Sequence, residues 1–229
     1  MLLAARNLEF AYRSREGEVK ALCDFSAEFP GGVPHFICGS SGSGKTTLGY
    51  VLSGLVVPSS GGVTLEDVLD DARRDFAFVF QFAEDLFFED TVAEELARIS
   101  TGNNEQISHA FNQLGISLSD IETQHPHRLS AGYARLTAVA LQMARDPRVL
   151  ILDEPTIGLD WRFHRRITDA LRDWLSPARI LIIITHDLDL MRESGGRVWV
   201  MSEGKLVWNG EVKTLLSNEA LLERFALHF

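Results

Sequence analysis

Gly39 to Thr46 read GSSGSGKT, which satisfies the phosphate-loop pattern of Gly, four residues, Gly, Lys and a hydroxyl residue. The spacing follows from the chemistry. Glycines let the backbone curl so that the N–H groups of Gly39, Ser40, Ser41, Gly42, Ser43 and Gly44 turn inward on a polyphosphate. The helix that starts near Lys45 adds its positive dipole end at the same spot. Lys45 supplies a mobile cation for the β- and γ-phosphates, and the Thr46 hydroxyl is placed to ligate Mg²⁺, with Thr47 counted beside it in the nucleotide-binding set. The flanks agree. His35 to Cys38 is a short apolar run that reads as a buried strand, and Leu48, Val51, Leu52 and Leu55 recur at helical spacing behind the loop. Strand, loop and helix stand in the order that separates a phosphate loop from a small-residue turn.

Ile151 to Pro155 read ILDEP, closing the apolar run Val149 to Leu152 on two carboxylates. A carboxylate at the end of a buried strand facing a phosphate loop can hold Mg²⁺, a role for Asp153, while its neighbour Glu154 can take a proton from an attacking water. Further buried strands are predicted at Phe76 to Phe80 and Ile180 to Thr185. Amphipathic helices alternate with them, on Leu136, Val139, Ala140 and Met143 and on Phe163, Ile167, Ala170, Leu171 and Trp174. That alternation means an α/β domain with a mainly parallel core sheet, whose ligands bind at the carboxyl ends of the strands. Gly39, Gln81, Asp153 and His186 all fall there. Leu2 to Phe29, broken by the polar turn Ser14 to Glu18, reads as an antiparallel β part, and Pro58 to Gly62 (PSSGG) as punctuation. Residues 82–128 turn polar and helix-prone, a helical subdomain inserted into a core formed by residues 1–81 and 129–229. A hairpin over Val198 to Trp208 and one leucine-rich helix close the chain.

With 229 residues and 45% of them hydrophobic, the chain can bury one sizeable core, and its formal charge of -10 opposes a role in coating nucleic acid. Cys23 and Cys38 are the only cysteines, too few for a disulfide framework, and Cys38 reads as a buried structural thiol. No run of about 18 apolar residues occurs and Met1 to Phe10 lacks a signal-peptide core, so any membrane contact is expected through a partner.

Taken together, these residues resemble the ATPase subunits of ABC transporters, because more of that family's motifs follow in its order along nearly the whole chain. Tyr12 resembles the aromatic that stacks on adenine. Gln81 resembles the glutamine joining the nucleotide and metal site to the transporter-facing lobe. Leu129 to Tyr133, LSAGY, resembles the signature LSGGQ; Ile157 to Asp160, IGLD, resembles the loop that crosses to a second subunit; and His186 resembles the γ-phosphate sensor. The resemblance implies a P-loop NTPase fold that binds ATP and Mg²⁺, with Lys45, Gln81, Glu154 and His186 in the catalytic set. It also implies a head-to-tail pair, homodimer or heterodimer, in which Ser130, Gly132 and Asp160 serve the other subunit's nucleotide. Ala131 and Tyr133 depart from the signature, which points to a pair with one weaker site.

Val79 to Val92, VFQFAEDLFFEDTV, resembles the corresponding stretch of energy-coupling-factor ATPases, which power vitamin and transition-metal uptake. That resemblance implies a peripheral subunit on the cytoplasmic face of the membrane, in a short form without an extended C-terminal region, whose helical lobe receives a transmembrane subunit. Phe87 and Phe88 stand equally as core of that lobe. Another ABC transporter class and a weakly active partner subunit remain alternatives. ABC ATPases of DNA repair need coiled-coil insertions for which Gln81 to Leu129 is too short, and ribosome-acting relatives carry two phosphate loops.

Overall fold

The computed structural model describes residues 1–15, 17–66, 74–99 and 104–227. Glu16 of the predicted turn and residues 100–103 of the predicted helical insert lie outside them, as does the side chain of Glu84.

Strand β1 (Leu2–Ser14) alternates Leu3, Ala5 and Leu8 onto one face. It pairs antiparallel with β2 (Gly17–Pro30), whose Leu22, Phe25, Ala27 and Phe29 meet them in the same core. A third strand, β4 (Ser60–Leu65), lines the other edge of β1. It corrects the reading of PSSGG as punctuation, since Ser60 to Gly62 lie within the strand. A Cβ on Gly61 would come within 2.3 Å of the Arg6 and Asn7 carbonyl oxygens. Glycine there admits the backbone at the register shift between Arg6 and Glu9.

The second sheet contains β3 (Pro34–Cys38), β5 (Phe76–Val79), β6 (Val149–Asp153), β7 (Ile180–Ile184), β8 (Arg197–Ser202) and β9 (Lys205–Glu211), in the order β5-β6-β7-β3-β8-β9. All its pairings are parallel except the β8–β9 hairpin. Both faces are covered, which explains why the strands read as unbroken apolar runs. Ile37, Ile151, Ile182 and Ile184 point toward the antiparallel sheet, while Phe36, Leu150, Leu152 and Ile183 point to the opposite core.

Helix α1 (Lys45–Leu52) is shorter than its apolar spacing predicts. The Leu55 N–H returns to the Tyr50 carbonyl at 2.9 Å and the Gly54 N–H to that of Val51 at 3.1 Å. Those two bonds close the helix C-terminus, and Leu55 is left 53% exposed. Between β5 and α5 (Ala131–Met143) the described chain is helical, with α2 (Val92–Ile99), α3 (Asn104–Gln113), α4 (Leu118–Ile121) and 3₁₀ turns at Ala83–Leu86 and Pro126–Arg128. Phe87 packs in its core, but Phe88 is 71% exposed.

Helix α6 (Trp161–Trp174) buries Ile167, Ala170, Leu171 and Trp174 of its predicted stripe and leaves Phe163 half-buried, and α7 (Leu188–Ser194) follows β7. The chain ends in two short helices rather than the single one expected, α8 (Val212–Leu216) and α9 (Glu219–Arg224). Asn218 divides them because its side chain accepts the Leu221 N–H at 3.2 Å and starts a new helix. Among the described residues, no helix is long and apolar enough to cross a membrane.

Candidate active site

A cleft of about 460 Å³ opens where β3, β5, β6 and β7 end and where the antiparallel sheet leans over α1. Tyr12, Ser41, Gly42, Gly44, Lys45, Thr46, Thr47, Gln81, Asp153, Glu154 and His186 all line it. The loop is built for an anion. Gly44 stands at the N-terminus of α1 in the left-handed region (φ 97°) and offers no side-chain cap, so the first N–H groups of the helix face the cleft without a competing carboxylate. Gly39, Ser40 and Ser43 do not line the cleft, and of the two serines Ser40 is exposed and Ser43 buried. The Lys45 Nζ donates to the carbonyls of Gly39 at 2.7 Å and Ser40 at 2.9 Å. The Ser43 Oγ is buried with no hydrogen-bond partner among the described residues.

Opposite the loop, Asp153 ends β6, and its Oδ2 accepts the Thr46 hydroxyl at 2.7 Å. Two hard oxygen donors therefore sit side by side, a set that fits Mg²⁺. Glu154 takes the left-handed conformation (φ 47°), sparsely populated for a side chain of this kind. Its N–H is held by the Ile184 carbonyl at 2.8 Å, its Oε2 accepts the Thr185 hydroxyl at 3.0 Å, and the His186 Nε2 lies 3.8 Å from its Oε1.

Burial governs the charge state of the group. It raises the pKa of Asp153, against the pull of the Thr46 hydrogen bond, Lys45 and Arg135. It raises that of Glu154, against hydrogen bonds from Thr185 and the His186 backbone. It lowers that of Lys45, opposed first by Glu154, and that of His186, helped by Lys45. Burial also pushes the Cys38 thiol far up, which leaves it protonated beneath the loop.

At the cleft's far end the Tyr12 hydroxyl and the Thr47 Oγ1 are 3.1 Å apart, and Phe10 packs edge-on against the Tyr12 ring at 5.0 Å. The aromatic plate is thus tied directly to the first turn of α1, next to the phosphate loop.

Beyond the phosphate loop, three predicted residues stand outside this cleft. Ser130 caps α5, its Oγ accepting the Tyr133 N–H at 3.4 Å, and it lines a separate pocket of about 470 Å³ beside Tyr133. Gly132 lies against Phe163, where a Cβ would come within 2.8 Å of the ring. Asp160 caps α6 through the N–H groups of Arg162 at 2.8 Å and Phe163 at 3.3 Å.

Sequence reasoning missed Arg135. It is 8% exposed, and its guanidinium donates to the carbonyls of Phe80 at 3.3 Å and Glu154 at 3.4 Å, tying the segment before Gln81 to the acidic strand end. The available signal was an arginine beginning the otherwise apolar run of α5.

Fold and cleft define a nucleotide-hydrolysing P-loop domain, and the chain belongs to the ABC transporter family, whose match runs over residues 22–157. The cobalt import ATP-binding protein CbiO of Rhodobacter capsulatus is 34% identical over 239 residues, covering 99% of this chain and 84% of its own. The energy-coupling factor transporter ATP-binding protein EcfA2 of Mycoplasma pneumoniae is 30% identical, covering 96% and 79%. Among solved structures, cbiO1 from Clostridium perfringens, part of the ABC transporter complex cbiONQ, superposes with a TM-score of 0.77 at 26% identity over 99% of this chain and 95% of its own. A dimeric ATP-binding cassette in a post-hydrolysis state with ADP and Pi shares the fold, with a TM-score of 0.80 at 24% identity over 92% and 98%.

Proposed function

We propose that this chain hydrolyses ATP to drive an importer of the energy-coupling-factor type, as a peripheral subunit on the cytoplasmic face of the membrane. The observation that carries the reading is the convergence of Lys45, Thr46, Asp153, Glu154 and His186 on one cleft at the strand ends. The names of the relatives supply the transport class.

In this reading the N–H groups at Gly42 to Gly44 and the α1 terminus bind the β- and γ-phosphates. Lys45 leaves its two loop carbonyls to neutralise charge developing on the γ-phosphate. Thr46 and Asp153 hold Mg²⁺, with Gln81 facing the same space; the ion, when bound, polarises the phosphoryl oxygens. Glu154 takes the proton of the attacking water, which the pKa raised by burial favours, while the Thr185 hydroxyl holds the carboxylate in place. Tyr12 receives the adenine.

Ser130, Gly132 and Asp160 do not line this cleft and serve the nucleotide of a second ATPase subunit. The helix N-terminus behind Ser130 suits that anion contact. Ala131 and Tyr133 alter the same edge, which favours, as a second reading, a heterodimer in which one of the two sites is weaker. A groove of about 670 Å³ between core and helical lobe, walled by Leu55, Phe78, Phe80, Phe88, Arg98 and Arg145, receives the membrane subunit.

The test is to purify the tagged chain from membranes and identify what accompanies it. A membrane scaffold with a small substrate-binding membrane protein is the expected result, and recovery only with ribosomes or DNA contradicts the reading.

A further inference from the structure

Outside the cleft, one polar cluster is more heavily built than helix capping requires. Asp187, directly after His186, spreads its carboxylate over three elements. The Oδ1 caps α7 through the Leu190 N–H at 2.9 Å, and the Oδ2 accepts the Thr156 hydroxyl at 2.7 Å and the His164 Nε2 at 2.9 Å. Burial works to raise the Asp187 pKa, but the Leu190 N–H, the Thr156 hydroxyl and His164 outweigh it, so the group is held below the ordinary carboxylate range. An ionised carboxylate only accepts, and the His164 Nε2 therefore carries the proton.

On the other side of His186, the Thr185 hydroxyl donates to Glu154 and accepts the Asp187 N–H at 3.1 Å. The His186 side chain is 47% exposed, and its imidazole is 3.8 Å from Glu154. Its direction is thus set mainly by the two residues that flank it, and both are pinned. His164 is the one member of the cluster on α6, the helix that Asp160 caps and that presents the 72%-exposed Trp161 at its first turn. The His164 side chain is 19% exposed.

From this geometry we infer that His164 is a positioning residue, whose bond to Asp187 fixes the direction of His186 toward Glu154 and the cleft. The inference rests on the hydrolytic reading of Glu154 and His186 for its effect on rate. Its effect on geometry does not depend on that reading. Without the imidazole, Asp187 keeps its cap on α7 but loses its tie to α6, and the backbone at His186 gains freedom. The phosphate loop is not touched.

The experiment has two arms. In the chain assembled with its partner subunits, His164→Leu lowers kcat on the order of tenfold at unchanged KM for ATP, the effect of displacing a group beside the reacting phosphate. His164→Gln places an amide N–H near the position of Nε2 and keeps kcat within about twofold of the parent. In the full chain alone, isotope-labelled histidine is followed by NMR, with the His186 signals assigned by their loss in His186→Ala. They shift in His164→Leu and stay in place in His164→Gln.

Unshifted His186 signals in His164→Leu overturn the inference, whatever happens to kcat, and so does equal impairment of the Leu and Gln variants. If the parent assembly turns over no ATP, the hydrolytic reading fails, while the NMR arm still decides the role of His164.

Discussion

Glu154, the proposed base, also carries a cost. Its folded-state pKa lies above the ordinary 4.5, chiefly because burial penalises the charged form. The sign follows from that. Above the folded pKa the ionised side chain weighs against the folded state; below about pH 4.5 the penalty is gone because the group is protonated folded and unfolded alike. Glu154→Gln therefore melts higher than the parent at pH 7, by roughly 2–4 °C for each kcal/mol recovered in a domain of this size. The difference closes as the pH falls through the carboxylate range, and thermal melts at a series of pH values measure it. In the parent, the acid limb of kcat stands above the usual glutamate value for the same reason. Thr46 and Asp153 make a second prediction. Thr46→Val removes one of two adjoining oxygen donors, so the Mg²⁺ concentration giving half-maximal activity rises, by about tenfold for one lost ligand interaction near 1.4 kcal/mol. A titration of ATPase activity with Mg²⁺ shows it, and an unchanged midpoint removes Thr46 from the metal set.

At the scale of elements, the packing of α5 on α6 is set at one residue. Gly132→Ala drives a methyl toward the Phe163 ring, whose edge is 2.8 Å from the added carbon. Phe163 is also boxed in by Tyr133 at 5.5 Å and by the Arg166 guanidinium at 5.7 Å. The substitution costs about 1–3 kcal/mol by overpacking, read as a lower midpoint in urea. This residue was legible as part of a signature but not as a packing contact, because Phe163 is 31 positions away in the chain. The same distinction separates what could be read from what could not. Strands β3, β6 and β7 declare themselves as short apolar runs because both their faces are covered, and the phosphate loop declares itself through glycine spacing. Strand β4 does not, because the close approach of β1 requires the glycines that look like a turn. Arg135, Thr185 and the His164–Asp187 pair were equally hidden, since each acts on backbone or carboxylate groups brought near only by the sheet.

In the proposed reading, the molecule as a whole holds two halves of a nucleotide site that do not meet. Tyr12, Lys45, Asp153 and Glu154 face one cleft, whereas Ser130, Gly132 and Asp160 cap or brace α5 and α6 outside it. Head-to-tail pairing of two such subunits would reconcile the halves, and the departures at Ala131 and Tyr133 would put any asymmetry at that seam. The acidic balance of the chain and its exposed Phe88 beside the groove of the helical lobe fit a protein that docks on a membrane partner rather than on nucleic acid. All of this depends on ATP being cleaved in the cleft with Glu154 as the base. The direct measurement is steady-state ATP hydrolysis and ATP binding by the parent and by Glu154→Gln, side by side in the assembled complex. The variant should bind ATP as the parent does and lose turnover by about 10²- to 10⁴-fold, since an amide cannot take the proton. Near-normal hydrolysis by Glu154→Gln would contradict the account.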